Sequence, residues 1–371
     1  MQNDKKNLLE LCLSPDLGGL ELYMMRCAKA LTDSYSVMSV INPKGKLEQY
    51  FCDSEHKYEM VEKKSNLLMF SAAHKLAKII DENSIDIVHL HWTKDIPIAV
   101  LAKHLSKRKP KLVQTRNMTM TRFKDDFYHR HLYKNIDMML PVTKQVAAQL
   151  ERFIPESVRP KVEVLYMGTD KIELLAEEER IQLRVELGMD KSFAVGLVGR
   201  IEETKGQHLL IEAVSILRQK DLNVEAFFVG HAMQEGYIDS LKEKAEKSGI
   251  ASSVHFLGFM KNPMHFMQAC DAMVLATPCE TFGLVVIEAM AAKTAMVATK
   301  QCGPMEIIED GIDGLLFENG DVDSLASKIE QLASDSVLTK RMTDKALAVV
   351  EERFETGKQF AKLSTLLKGV G

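Results

Sequence analysis

Within the stretch Thr277–Ala292, TPCETFGLVVIEAMAA, two carboxylates stand eight residues apart, Glu280 in a polar loop and Glu288 inside an apolar run. If a helix starts near Gly283, Glu280 lies just before it and Glu288 on its second turn, so both can face one ligand. A glycine lets that ligand approach the backbone, and the free N–H groups of a helix's first turn attract anions such as a phosphate. A carboxylate can accept hydrogen bonds from two vicinal hydroxyls, which suits Glu288 to a ribose and Glu280 to a sugar ring. The ligand these residues describe is a sugar joined to a nucleoside diphosphate. The bland alternative is a solvated loop followed by an ordinary amphipathic helix.

A second cluster supplies cations. Gly199-Arg200 and Lys205-Gly206 form G-R-x-x-x-x-K-G at the end of an apolar run, Phe193–Arg200. Two cations beside a helix start can neutralise a leaving diphosphate without a metal. A P-loop is excluded, because no Ser or Thr follows Lys205 and the glycine spacing is wrong.

The elements that must carry these residues follow from pattern and length. A chain of 371 residues exceeds one ordinary core and predicts two domains. Asn7–Ser14, then a turn at Pro15–Gly19, then a helical pattern over Glu21–Leu31 make a strand, Gly loop and helix of Rossmann type. The loop lacks G-x-G-x-x-G spacing, so a nicotinamide cofactor is not supported. Further strands are expected at Val37–Ile41, Ile85–Trp92, Lys111–Thr115 and Asp137–Val142, with Thr143 as a helix N-cap and a helix over Asn66–Glu82. In the second half, which opens at Glu177–Leu187, strands are expected at Phe193–Arg200, Ala226–Gly230, Val254–Gly258, Ala272–Ala276 and Ala295–Ala298, with helices at Tyr237–Ser248, Met264–Cys270 and Asp323–Val350. Ligands collect beyond the carboxyl ends of such strands, where His89, His91 and Trp92 fall. His89 suits a core histidine satisfied by the backbone; His91 stays open between core and site.

The pattern E-x-F-G-L-x-x-x-E-A resembles the donor-site signature of the retaining glycosyltransferases of family 4 (group 1), of bacterial surface-polysaccharide or lipopolysaccharide-core type. Gly18-Gly19 with Glu21 is similar to that family's G-G-x-E loop, and D-I-V-H-x-H, ending at His91, is also shared. The resemblance implies an α/β fold of two facing Rossmann-like domains (GT-B architecture) with the active site in the cleft. It puts an acceptor domain at residues 1–172, a donor domain at 173–356, and a tail, 357–371, crossing back. Arg200, Lys205 and Glu280 would be catalytic; Gly18, Gly19, Leu257, Gly258, Thr281, Phe282, Gly283, Leu284 and Glu288 would hold the donor. Glu21, His91, Arg116 and Asn117 are acceptor-side candidates. Departures occur at Arg116-Asn117, where relatives place a histidine, at Met167 in place of Asn, and at Cys302 in place of the first glycine of a Gly-Gly pair. Either Asn117 replaces the histidine as a hydrogen-bonding group, or Arg116 meets an anionic acceptor or phosphate.

The implied activity is metal-independent, retaining hexosyl transfer from a nucleotide-diphosphate sugar, UDP first and GDP second, to a lipid-linked or polysaccharide acceptor. No cofactor or nucleic-acid partner is expected. Alternatives are a nucleotide-sugar 2-epimerase of the same fold and a non-catalytic binder of sugar nucleotides. Six cysteines without C-x-x-C spacing argue against a zinc site and a disulfide framework, and point to a reducing compartment. No apolar run reaches signal or spanning length, so a cytoplasmic protein is expected. The first 170 residues carry 26 Lys+Arg against 21 Asp+Glu, whereas the remainder carries 22 against 31. Much of the basic excess lies in Lys103, Lys107, Arg108, Lys109 and Lys111, then Arg116, Arg122, Arg130 and Lys134 among Phe123, Phe127, Tyr128 and Tyr133. Such a surface could draw the protein to anionic lipid on the inner membrane face. A solvated loop is the alternative. The twenty-one methionines sit at apolar positions and fit core filling.

Overall fold

The structure, a computed structural model, describes residues 5–51, 55–63 and 69–370. Cys52 and the first residues of the helix expected from Asn66 lie outside them. The chain divides into two compact units, Met1–Tyr166 with Lys358–Gly371, and Met167–Gly357.

The first unit is built on seven parallel strands: β1 (Asn7–Cys12), β2 (Ser36–Ile41), β3 (Tyr58–Met60), β4 (Ile87–Leu90), β5 (Lys111–Arg116), β6 (Met138–Pro141) and β7 (Lys161–Val162), in the order β3-β2-β1-β4-β5-β6-β7. The apolar runs are continuous because both faces of the sheet are covered. Successive residues of a strand point to opposite faces. Leu11 and Cys12 of β1 enter different buried clusters, one with helix Met69–Glu82 and the other with Met24 of helix Gly19–Ala30; Val40 and Ile41 of β2 divide in the same way. Thr143 caps helix Lys144–Phe153 by accepting from the Val146 N–H. The last helix, Thr356–Val370, buries Leu363 and Leu367, and its Phe360 ring stacks 6.1 Å from Tyr23.

The second unit carries six parallel strands: β8 (Phe193–Val198), β9 (Val224–Val229), β10 (Val254–Gly258), β11 (Ala272–Leu275), β12 (Ala295–Thr299) and β13 (Leu315–Phe317), in the order β10-β9-β8-β11-β12-β13. Its core joins Val195, Phe228, Val274, Val297 and Phe317 from the sheet to Leu210, Leu241 and Ile329 from three helices. The helical pattern over Asp323–Val350 is two helices, Val322–Ser334 and Ser336–Val349, because Asp335 breaks the first and caps the second by accepting from Leu338 N–H.

In both sheets the order reverses direction beside the first strand, so the loops after β1 and β4, and those after β8 and β11, diverge and leave room at the carboxyl edge. Every candidate residue named above lies on such an edge of its own unit.

Candidate active site

In the second unit the site starts from the β11 loop. Strand β11 ends at Leu275, and helix Leu284–Ala291 begins after Gly283, whose φ of +96° is the left-handed conformation that favours glycine. That turn presents the first-turn amides of the helix at the sheet edge. Glu288 sits on the second turn, half-buried. Phe282 does not project to a ligand by its ring: it is 3% exposed and packs edge-on against Phe354 at 5.9 Å. Its contribution to the edge is therefore backbone.

Glu280 meets the cationic loop. The half-buried Lys205 ammonium lies 3.0 Å from Glu280 Oε2, joining the loop after β8 to the loop after β11. Arg200 is exposed and pairs with Glu202 at 3.0 Å, while its carbonyl accepts from the buried Gln207 side chain at 2.8 Å. So both predicted cations sit beside carboxylates at the end of β8. Leu257 and Gly258 end β10 on the same edge. Gly258 is exposed, and the ring of Phe259 beside it, 68% exposed, meets His231 after β9 at 5.7 Å.

The cysteine expectation is corrected here. Cys279 and Cys302 form a disulfide, with Cα atoms 5.4 Å apart and 23 residues between them in sequence. Strands β11 and β12 are parallel neighbours, so the loops that follow them run side by side; that adjacency has no signature in cysteine spacing. Cys302 adopts φ +59°, the conformation a glycine would take at ease. Gly303 is held tightly against the candidate motif: its N–H donates to the Glu280 carbonyl at 2.9 Å, and a β-carbon on it would lie 2.3 Å from the Phe282 carbonyl oxygen. Cys12, Cys27 and Cys270 are buried free thiols, each pushed well up in pKa chiefly by burial.

In the first unit the candidates split into structural and open groups. Glu21 is 6% exposed and accepts the Gly18 N–H at 2.9 Å, closing the Gly18-Gly19 loop onto the start of helix Gly19–Ala30. It acts there as a helix cap. Arg116 is buried and donates to the carbonyls of Met118 and Thr119 and to Thr93 Oγ1, at 2.7–2.9 Å. Those bonds turn the guanidinium inward, where it shapes the 117–120 loop, and burial lowers its pKa. Asn117 differs: its Oδ1 is buried without a partner among the described residues.

Glu10 is the residue that sequence reasoning missed. Fully buried at the centre of β1, it receives His89 Nδ1 at 3.0–3.2 Å and His91 Nε2 at 2.6 Å, while His89 Nε2 meets Thr115 Oγ1 at 2.8 Å. His89 is thus a core histidine, satisfied by side chains instead of the backbone. Burial alone would raise the Glu10 carboxyl, yet the charge and hydrogen bonds of His89 and His91 hold it at about 2. Burial, then the charge of His89, pulls His91 down to about 4 despite Glu10. A neutral His91 that donates from Nε2 leaves Nδ1 as a buried acceptor without a partner among the described residues. Cys27, His89 and His91 bring their donor atoms within 4.8 Å, a group that the linear spacing concealed. The carboxylate at position 10 was the one available signal, since an acid inside an apolar strand needs a partner.

Comparison with known proteins matches residues 178–348 to the family "Glycosyl transferases group 1" and residues 10–149 to "Glycosyl transferase 4-like". The putative glycosyltransferase EpsD of Bacillus subtilis is 28% identical over 284 residues, 72% of each chain. The lipopolysaccharide core biosynthesis glycosyltransferase LpsE of Rhizobium meliloti is 32% identical over 148 residues, 40% of this chain and 42% of that protein. Among solved structures, HepE of Anabaena in complex with UDP superposes with a TM-score of 0.86 at 23% identity, covering 98% of this chain and 100% of HepE, which makes the fold that of the GT-B glycosyltransferases. With a matching family model on each unit, the chain belongs to the group 1 glycosyl transferases.

Proposed function

We propose that the protein is a metal-independent, retaining hexosyltransferase that uses a UDP-sugar and glycosylates a hydroxyl of a lipopolysaccharide core or other surface glycan. The observation that carries the reading is the Lys205–Glu280 pair at 3.0 Å beside the Gly283 turn, which sets a cation, a hydroxyl-binding carboxylate and the start of a helix along one sheet edge. Lys205 and Arg200 stabilise the diphosphate as the sugar bond breaks, and the amides of Phe282, Gly283 and Leu284 add to that field. Glu280 orients the sugar, Glu288 holds the ribose, and Leu257 and Gly258 offer backbone to the base. The leaving phosphate takes the acceptor's proton on the face it departs from, which retains configuration without a protein base. The UDP bound to HepE and the lipopolysaccharide-core role of LpsE support the choice of nucleotide and acceptor.

The acceptor is bound by the first unit, with His91 Nδ1 and Asn117 Oδ1 among its buried polar atoms that lack hydrogen-bond partners among the described residues. Its basic, aromatic segment brings the enzyme to the inner membrane face. Phe123 and Phe127 are 65% and 88% exposed beside Arg122 and Lys124, whereas Arg116 and Tyr133 face inward and drop out of the surface read from sequence. No helix among the described residues is long and apolar enough to cross a membrane.

A thermal-shift panel of UDP, GDP, ADP and CMP with their sugar conjugates, with and without EDTA, tests the donor site. A ligand that binds only the native state raises the melting temperature according to its affinity. A UDP shift that EDTA leaves intact and Glu288→Ala removes is expected, followed by an α-linked product from an α-linked donor, read by NMR. A shift that EDTA abolishes, or a product of inverted configuration, would overturn the mechanism.

A further inference from the structure

We infer that the Cys279–Cys302 disulfide is a reversible thiol–disulfide exchange site that sets the donor loop, with a protein dithiol as its reactant. The inference rests on the donor-site reading given above. The bond joins the residue before Glu280 to the residue before Gly303, and Gly303 in turn donates its N–H to the Glu280 carbonyl and packs on Phe282. Glu280 then reaches Lys205. One covalent link therefore holds the carboxylate, the amide turn and the cation in a common frame.

Access separates this pair from the other cysteines described. Cys279 is exposed and Cys302 half-buried, whereas Cys12, Cys27 and Cys270 are buried. Exchange needs a thiolate to reach a disulfide sulfur, so among the described residues this bond is the open target. The reductant's thiolate attacks Cys279 Sγ, the S–S bond breaks, and the Cys302 thiolate leaves and takes a proton. The reductant's second thiol then attacks its own sulfur in the mixed disulfide and releases Cys279. Two electrons and two protons enter the enzyme, and the dithiol leaves as a disulfide.

Cys302 also explains why opening the bond matters. It holds φ +59° in a turn where a side chain is uncomfortable, and the bond fixes it there. Once the thiols separate, the 301–303 turn can relax, and Glu280 loses its register. The oxidised enzyme is the donor-competent state.

The full-length protein is oxidised with diamide or reduced with dithiothreitol, thiols are alkylated before unfolding, and the 279–302 peptides are read by mass spectrometry. UDP thermal shift and UDP-glucose turnover are measured on the same samples. Reduction is expected to lower kcat/KM reversibly by about tenfold to a hundredfold, the upper figure being the scale of an ångström's misplacement. Cys302→Gly and Cys279→Ser should equal the reduced enzyme and ignore both reagents. A cross-link that never forms under diamide, or one that forms and opens with no change in UDP binding or turnover, overturns the inference. If neither state binds any nucleotide, the donor reading itself has failed. Hydrogen exchange over 277–292 then decides the staple alone, supported by redox-dependent protection and overturned by identical protection.

Discussion

Replacing Lys205 by Met removes one charge and little volume, so its effects on stability and on turnover can be separated. The ammonium side chain is 22% exposed and its partner Glu280 31%. A pair that water still reaches contributes at most about 1 kcal/mol to folding, which lowers the melting temperature by roughly 2–4 °C in a domain of this size. On the proposed mechanism turnover responds more strongly, because negative charge then grows on a leaving diphosphate. A unit charge about 4 Å away, at an effective dielectric near 20, is worth about 4 kcal/mol. Part of that field already acts on the bound donor, so the differential share gives a loss of roughly 10²–10³ in kcat. Steady-state release of UDP from the UDP-sugar, with Lys205→Arg as a charge-retaining control, measures it. The expected pattern is a collapse of kcat in Met with partial retention in Arg. A loss confined to KM, or Arg as inactive as Met, would refute the reasoning, since position or ground-state binding and not charge would then be what Lys205 supplies.

Three further outcomes are expected. Gly303→Ala sets a β-carbon 2.3 Å from the Phe282 carbonyl oxygen and should cost about 1–3 kcal/mol while abolishing the UDP-induced thermal shift; a variant with the wild-type shift would show that the loop has slack. Stability should fall with acid in two windows, because His91 and Glu10 both have depressed folded values. Their contributions are present above the unfolded pKa and are lost as pH falls, from 6.5 towards about 4 for His91 and from 4.5 towards about 2 for Glu10. At about 1.4 kcal/mol per unit the His91 window amounts to a few kcal/mol, and His91→Gln should flatten melts between pH 6.5 and 4; an unaltered slope would rule out His91 as the titrating group. Phe123→Ser with Phe127→Ser should weaken cosedimentation with vesicles rich in anionic lipid at least several-fold with only a small fall in melting temperature, because Phe127 is solvent-exposed and Phe123 keeps only an edge contact with Phe153; unchanged sedimentation would remove that surface from the membrane reading.

The sequence by itself determined the parallel α/β class, most strand positions and the turn into a helix at Gly283. These depend on short-range rules. Continuous apolar runs mark strands covered on both faces, and Gly283 before an apolar run marks a left-handed turn into a helix whether or not the rest of the fold is known. Weakly patterned elements such as β3 and helix Phe127–Lys134 escaped, since a three-residue edge strand and a helix with an exposed aromatic face carry little periodicity. What only the tertiary structure decided are the pairings between distant loops. Sheet order makes β11 and β12 neighbours and so bonds Cys279 to Cys302; it sets β1 beside β4 and so places Glu10 between His89 and His91; it turns Arg116 inward to carbonyls of its own loop. Residue type fixes what each of these groups can do, but a partner 23 or 81 residues away is chosen by strand adjacency, which local pattern does not encode.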